Sequence, residues 1–107
     1  MPKNKNKGYV YLFVCTSEVV DGMYPAKFGC SKSNVKARLY CAQSRMKCKF
    51  DIHVVMSVKN AHKSECDIKW NWLDEFGQMY YMGSEFVGIN PCNLDEAISS
   101  FKGILNV

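Results

Sequence analysis

The stretch Gly8-Tyr9-Val10-Tyr11-Leu12-Phe13-Val14-Cys15 contains no charged side chain and no polar break. Aromatic and β-branched residues favour extended backbone. Without alternation between apolar and polar positions, such a strand is buried on both faces, as a central strand of a sheet is. The rest of the chain has to be arranged around it. Asp21-Gly22 marks a turn, and Tyr24 to Gly29 follows as a second strand, so the two form an antiparallel hairpin with a longish loop. Pro25 near the start of that strand suits an edge position, because proline offers no N–H to a neighbour.

Gly29 reads as a tight turn from this strand into a helix over Asn34 to Lys47, with Ser33 or Asn34 as the N-cap. Val35, Leu39, Ala42 and Met46 recur at helical spacing and form its packing face. Phe50 to Val58 alternates, which predicts a third strand with Ile52, Val54, Met56 and Val58 on one side and His53 on the other. Asn60, or the residues just after it, opens a second helix from Ala61 to about Phe76, stopped by Gly77. Its stripe is Ala61, Glu65, Ile68, Trp72 and Phe76. Residues 79–82 form a loop and 83–87 a short closing strand. Asn93 caps a last helix with Asp95 and Glu96 in its first turn, where the dipole favours them. Ala97, Ile98, Phe101, Ile104 and Leu105 form its apolar side.

The expected architecture is α/β of the α+β kind: a small, mostly antiparallel central sheet of three or four strands flanked by helices. At 107 residues the chain has room for one core. Residues 8–107 are expected to form that single domain, behind a flexible basic tail at 1–7. No apolar run approaches the ~20 residues that cross a bilayer, and the first residues lack the apolar stretch of a secretory signal. The expected setting is intracellular, with no membrane partner. Six cysteines stand at positions 15, 30, 41, 48, 66 and 92, with no C-x-x-C pair. That spacing argues for free thiols, several of them small core residues, rather than for a metal–thiolate site.

Charge is concentrated. Residues 27–49 hold Lys27, Lys32, Lys36, Arg38, Arg45, Lys47 and Lys49 and no acidic residue. A positive field beside the free N–H groups of a helix start suits a phosphate-bearing polyanion, nucleic acid above all. An ordinary solvated basic face is the plain alternative. Arg38, next to Leu39 at the edge of the apolar face, is expected to be partly shielded from water. Glu65 is the anomaly of the second helix, because a carboxylate in line with an apolar stripe is costly to desolvate unless something positive meets it. An ion pair with Arg38 or a lysine would satisfy it; so would a divalent cation or a phosphoryl-transfer site.

The order strand, strand, helix, strand, helix, with Gly8-Tyr9-Val10-Tyr11, Lys27-Phe28-Gly29, Arg38-Leu39, Glu65 and Glu85-Phe86 along it, resembles the GIY-YIG nuclease superfamily, and most closely its small phage- and virus-borne offshoot. The resemblance spans residues 8 to about 87. It implies a GIY-YIG-type fold and a metal-dependent endonuclease that hydrolyses DNA phosphodiester bonds with little sequence specificity, RNA being the other candidate substrate. By position it assigns Tyr11 to water activation at the scissile phosphate, Arg38 to the charge on that phosphate, and Glu65 to one divalent cation, Mg²⁺ or Mn²⁺. Lys27 joins these as a catalytic candidate, standing where the nuclease pattern has its second-motif tyrosine. Lys32, Lys36, Arg45 and Tyr9 are the nucleic-acid-binding candidates. Lys69 occupies the position, four residues after the glutamate, where the offshoot commonly has histidine, and Asn90 is the nearest candidate for a late asparagine. A binding module of the same fold without catalysis, and a protein-interaction domain with an acidic partner, are the other readings.

Overall fold

The computed structural model describes residues 7–72, 78–79 and 86–105. The expectations at residues 1–6, Phe76, Gly77, Tyr80, Tyr81 and Glu85, and the packing of the Met46 side chain, lie outside what it describes. The fold is α+β. Its elements are β1 (Gly8–Val14), β2 (Tyr24–Ser31), α1 (Val35–Met46), β3 (Asp51–Val58), α2 (Ala61–Asn71), β4 (Gln78–Met79), β5 (Phe86–Ile89), a 3-10 turn (Pro91–Asn93) and α3 (Leu94–Leu105). The sheet is antiparallel with strand order β3-β1-β2-β5-β4. Four strands carry it, and β4, two residues long, lies at its far edge. No helix among the described residues is long and apolar enough to cross a membrane.

β1 is buried along nearly its whole length, and its alternating side chains feed two separate cores. Val10, Leu12 and Val14 point to the side covered by α2 and α3. There they meet Ala26, Phe28, Val54, Ile68, Val87, Ile89, Ala97 and Phe101 around Trp72. Trp72 packs edge-on against Phe28 and Phe101, at ring-centroid distances of 6.0 and 5.2 Å. Its indole N–H donates to the Ala97 carbonyl at 2.8 Å, so the buried polar atom of the largest core side chain is satisfied. Tyr11, Phe13 and Cys15 point to the other side, toward Ala42 and Phe50, with Val35 and Leu39 of α1 partly covering them.

The helix starts follow local chemistry. The Asn34 side chain accepts from Ala37 N–H at 3.1 Å, and the Asn60 side chain from Lys63 N–H at 3.0 Å. Each satisfies one orphan donor of the first turn. The start of α3 corrects the reading at Asn93. Asn90 is the cap, its side chain accepting from Cys92 N–H at 2.9 Å, and a 3-10 turn carries the chain into α3. Asp95 and Glu96 do occupy the first turn of α3.

Three further expectations give way to tertiary structure. β2 is an interior strand, between β1 and β5, so Pro25 is not at a sheet edge. It is tolerated because it stands at the end of the β1–β2 ladder, where its carbonyl accepts from Cys15 N–H at 2.8 Å and one missing donor breaks nothing further along. Gly29 is no turn; β2 runs through it to Ser31, with Gly29 opposite Tyr11. In β3 the register slips between Leu12 and Phe13, which face Val54 and Ile52, leaving His53 as an extra residue. This bulge reverses the alternation: Val54 is buried, but Ile52 is 45 % exposed instead of joining it. The His53 Nε2 is buried and has no hydrogen-bond partner among the described residues.

Candidate active site at Tyr11, Gly29 and Glu65

The site is built on the β1–β2 register. Tyr9, Tyr11 and Phe13 of β1 lie opposite Ser31, Gly29 and Lys27 of β2, so these six positions share one face of the sheet. Tyr11 is 1 % exposed and stacks on Phe13 with ring centroids 4.5 Å apart and planes 14° from parallel. That stack lays the phenol across Gly29. A Cβ at position 29 would stand 2.7 Å from the Tyr11 hydroxyl oxygen, closer than real contacts allow, and 3.0 Å from its ring carbon Cζ, a tight approach. Glycine is required here by the tyrosine ring, not by backbone strain.

The same empty Cβ position lies 3.5 Å from Glu65 Oε2. The phenol oxygen and the carboxylate therefore converge over one backbone atom, although they come from β1 and α2. Among the described residues β5 pairs with β2 from Tyr24 to Lys27, two positions before Gly29. Glu65 is half-buried, and among the described residues its carboxylate makes no hydrogen bond or ion pair. Its stripe is otherwise apolar, with Ala61, Ile68 and Trp72 buried as the spacing indicates. Lys27 is 6 % exposed, held on the Tyr11 side of β2 between Phe13 and Phe86 in the ladder, and its interactions are taken up within the fold.

The structure does not bring Arg38 into this group as a pair for Glu65. Arg38 is exposed on α1, rather than partly shielded, and no ion pair joins it to Glu65. The reason is rotational: Val35, Leu39 and Ala42 take the inward positions, and Arg38 falls on the flank beyond them. Lys69, one turn after Glu65, is likewise exposed and unpaired with it. The binding candidates separate into two groups. Arg38 and Arg45, seven residues apart, share one flank of α1, whereas Lys36 lies on the opposite flank. Lys32 is exposed just past β2, and Tyr9 is 37 % exposed at the rim of the face that carries Tyr11. The late Asn90 is exposed and committed to capping.

A second convergence was not foreseen from the spacing of the cysteines. Cys15, just past β1, meets Cys48, just past α1, with Glu18 beside them; one ligand atom from each lies within 4.8 Å of the others. Burial, the neighbouring Cys15 thiol and the Glu18 carboxylate together push the Cys48 thiol up to about 12. The sequence signal for this pair was only that each cysteine stands within two residues of the end of a core element.

Comparison of the chain with family models, with curated proteins and with solved structures returned no match.

Proposed function

We propose that this protein is a metal-dependent endonuclease that hydrolyses DNA phosphodiester bonds at Tyr11, Arg38 and Glu65. The observation that supports it most is the meeting of the Tyr11 hydroxyl and the Glu65 carboxylate over Gly29. The resemblance to the GIY-YIG superfamily assigns both groups to one site, and they come from elements far apart in the chain.

The residues fit a divalent cation. Glu65 offers a half-buried carboxylate with no partner among the described residues, and its Oε2 and the Tyr11 hydroxyl both lie close to the Cβ position of Gly29. Mg²⁺ or Mn²⁺ held by one carboxylate, otherwise by water and phosphate oxygens, is a normal arrangement for such ions. Bound there, the ion supplies Lewis-acid stabilisation of charge on the phosphate. The chain's own groups do the rest. Tyr11 orients the attacking water, its phenol oxygen accepting a hydrogen bond from that water. Arg38, charged at any working pH and free to reach from the flank of α1, pairs with the non-bridging oxygens. Lys27 contributes a fixed buried charge on the Tyr11 side of β2. Arg45, Lys36, Lys32 and Tyr9 engage the nucleic-acid backbone, which positions substrate without reading sequence. Because Tyr11 is 1 % exposed, a phosphate reaches its oxygen only when the covering groups shift, so turnover is expected to be slow. An intracellular setting goes with this reading.

Supercoiled plasmid incubated with the protein and Mg²⁺ or Mn²⁺ tests it. Nicked and linear products are expected from the native chain and not from Glu65→Gln or Tyr11→Phe. A native chain that leaves plasmid intact under both ions while retaining salt-sensitive DNA binding would establish the second reading, a binding module without catalysis. The exposure of Arg38 away from Glu65 is the observation that favours that alternative.

A further inference from the structure

We propose that Cys15, Cys48 and Glu18 form a zinc site that clips the end of β1 to the connection between α1 and β3. This site is separate from Glu65 and independent of the nuclease reading. Two thiols and a carboxylate are a ligand set for Zn²⁺; hard ions such as Mg²⁺ and Mn²⁺ take oxygen-rich sites instead. One ligand atom from each residue already lies within 4.8 Å of the other two. A tetrahedral zinc with Zn–S bonds of about 2.3 Å separates its ligands by about 3.8 Å, so a modest contraction closes the site.

The fold prepares both thiols. Cys15 is fully buried, and its N–H is fixed by the Pro25 carbonyl at 2.8 Å. Its sulfur lies 3.3 Å from the Ser17 hydroxyl, a contact that turns the hairpin loop, and with it Glu18, back toward the pair. Cys48 follows Lys47, which ends α1 in the left-handed region at φ 53° and redirects the chain toward β1. The Gln43 side chain accepts from Phe50 N–H at 3.0 Å and holds the short connection in place. Glu18 is exposed and free to complete the set. The cluster opens on a shallow hollow whose lining includes Gln43, Lys47 and Lys49, where a water can take the fourth position.

Charge and protons balance. Binding displaces one proton from each thiol to solvent, and two thiolates with one carboxylate leave the zinc complex at a net charge of minus one. Lys47 and Lys49, both lining the hollow, offset that charge.

The test uses the full chain, reduced and stripped of metal, titrated with Zn²⁺ against a chromophoric chelator and separately with Co²⁺. One zinc per chain is expected, with sulfur-to-cobalt charge-transfer absorption and tetrahedral visible bands. Cys48→Ser should weaken zinc by at least about 100-fold and Glu18→Gln by about 10-fold, of the order seen when groups supporting a metal are removed. Cys41→Ser and Cys92→Ser, both at exposed positions, should change nothing. Glu18→Gln alters only an exposed side chain, so the test stands even if Cys48→Ser folds poorly. Sub-stoichiometric zinc, cobalt spectra without the sulfur band, or unchanged affinity in Glu18→Gln would overturn the proposal. So would a Cys15–Cys48 disulfide whose reduction fails to restore zinc binding.

Discussion

The two faces of the sheet are built from the same strands but to different ends. Under α2 and α3 the side chains close completely: Phe28, Trp72 and Phe101 are buried, their rings in edge contact, and the one indole N–H is bonded. On the α1 side the cover is partial. Tyr11 and Phe13 are buried, yet Tyr9, Ile52 and Val55 stay 37 to 45 % exposed, and the carboxylate of Glu65, without a partner among the described residues, sits beside Tyr11. Closure of one face supplies stability, which lets the other carry polar groups without full compensation. The two faces should therefore fail differently.

The largest effect is expected at the closed face. Trp72→Ala removes the hub ring and the indole hydrogen bond to the Ala97 carbonyl, so denaturant unfolding should show a loss of about 3–5 kcal/mol. Next comes Gly29→Ala, which forces a methyl against the Tyr11 phenol. A loss of about 1–3 kcal/mol is expected, since overpacking of a buried ring costs that much, together with loss of plasmid nicking. A Gly29→Ala protein of native stability and activity would show that Tyr11 is not fixed over Gly29, and would break the comparison. Glu65→Gln sharpens it from the other side. Nicking should vanish while unfolding stability stays within the ±0.5 kcal/mol usual for a side chain with no partner, as Glu65 has none among the described residues. For DNA retention, Lys36→Ala and Arg45→Ala should each lower the slope of affinity against salt by about one, if both flanks of α1 touch phosphate.

The last effect concerns pH and is confined to alkaline solution. Cys48 holds its proton up to about 12 in the folded, metal-free protein, against an ordinary value of 9.0. Between those values the unfolded chain has lost a proton that the folded chain retains. Stability therefore falls as pH rises through that window and is unaffected below it. Thermal midpoints measured from pH 8 upward should decline less steeply in Cys48→Ala than in the native chain.

Much of the fold was legible because its signals are local. The unbroken run at β1, the caps at Asn34 and Asn60, and the stripe of Ala61, Ile68 and Trp72 each depend on residues a few positions apart. Glu65 was legible as an anomaly for the same reason, since its neighbours on the helix are apolar. What stayed hidden depends on pairing. The bulge at His53 arises from the register of β3 against β1, and no alternation pattern records an inserted residue. Gly29 looked like a turn because glycine has two uses, and the close approach of a phenol is visible only once β1 lies beside β2. Arg38 lies at the edge of the packing face of α1, as its spacing indicates, but that spacing does not record that the flank is open to water. Cys15 and Cys48 belong to different elements, and only their shared core brings the sulfurs together.

Trp70 and Trp72 stand two residues apart on opposite sides of the end of α2, one 75 % exposed and the other fully enclosed. Half a helical turn thus equips the molecule with an outer and an inner fluorophore. Iodide should quench the first and spare the second until the chain opens, giving separate optical readings of surface binding and of core integrity from a single unlabelled sample.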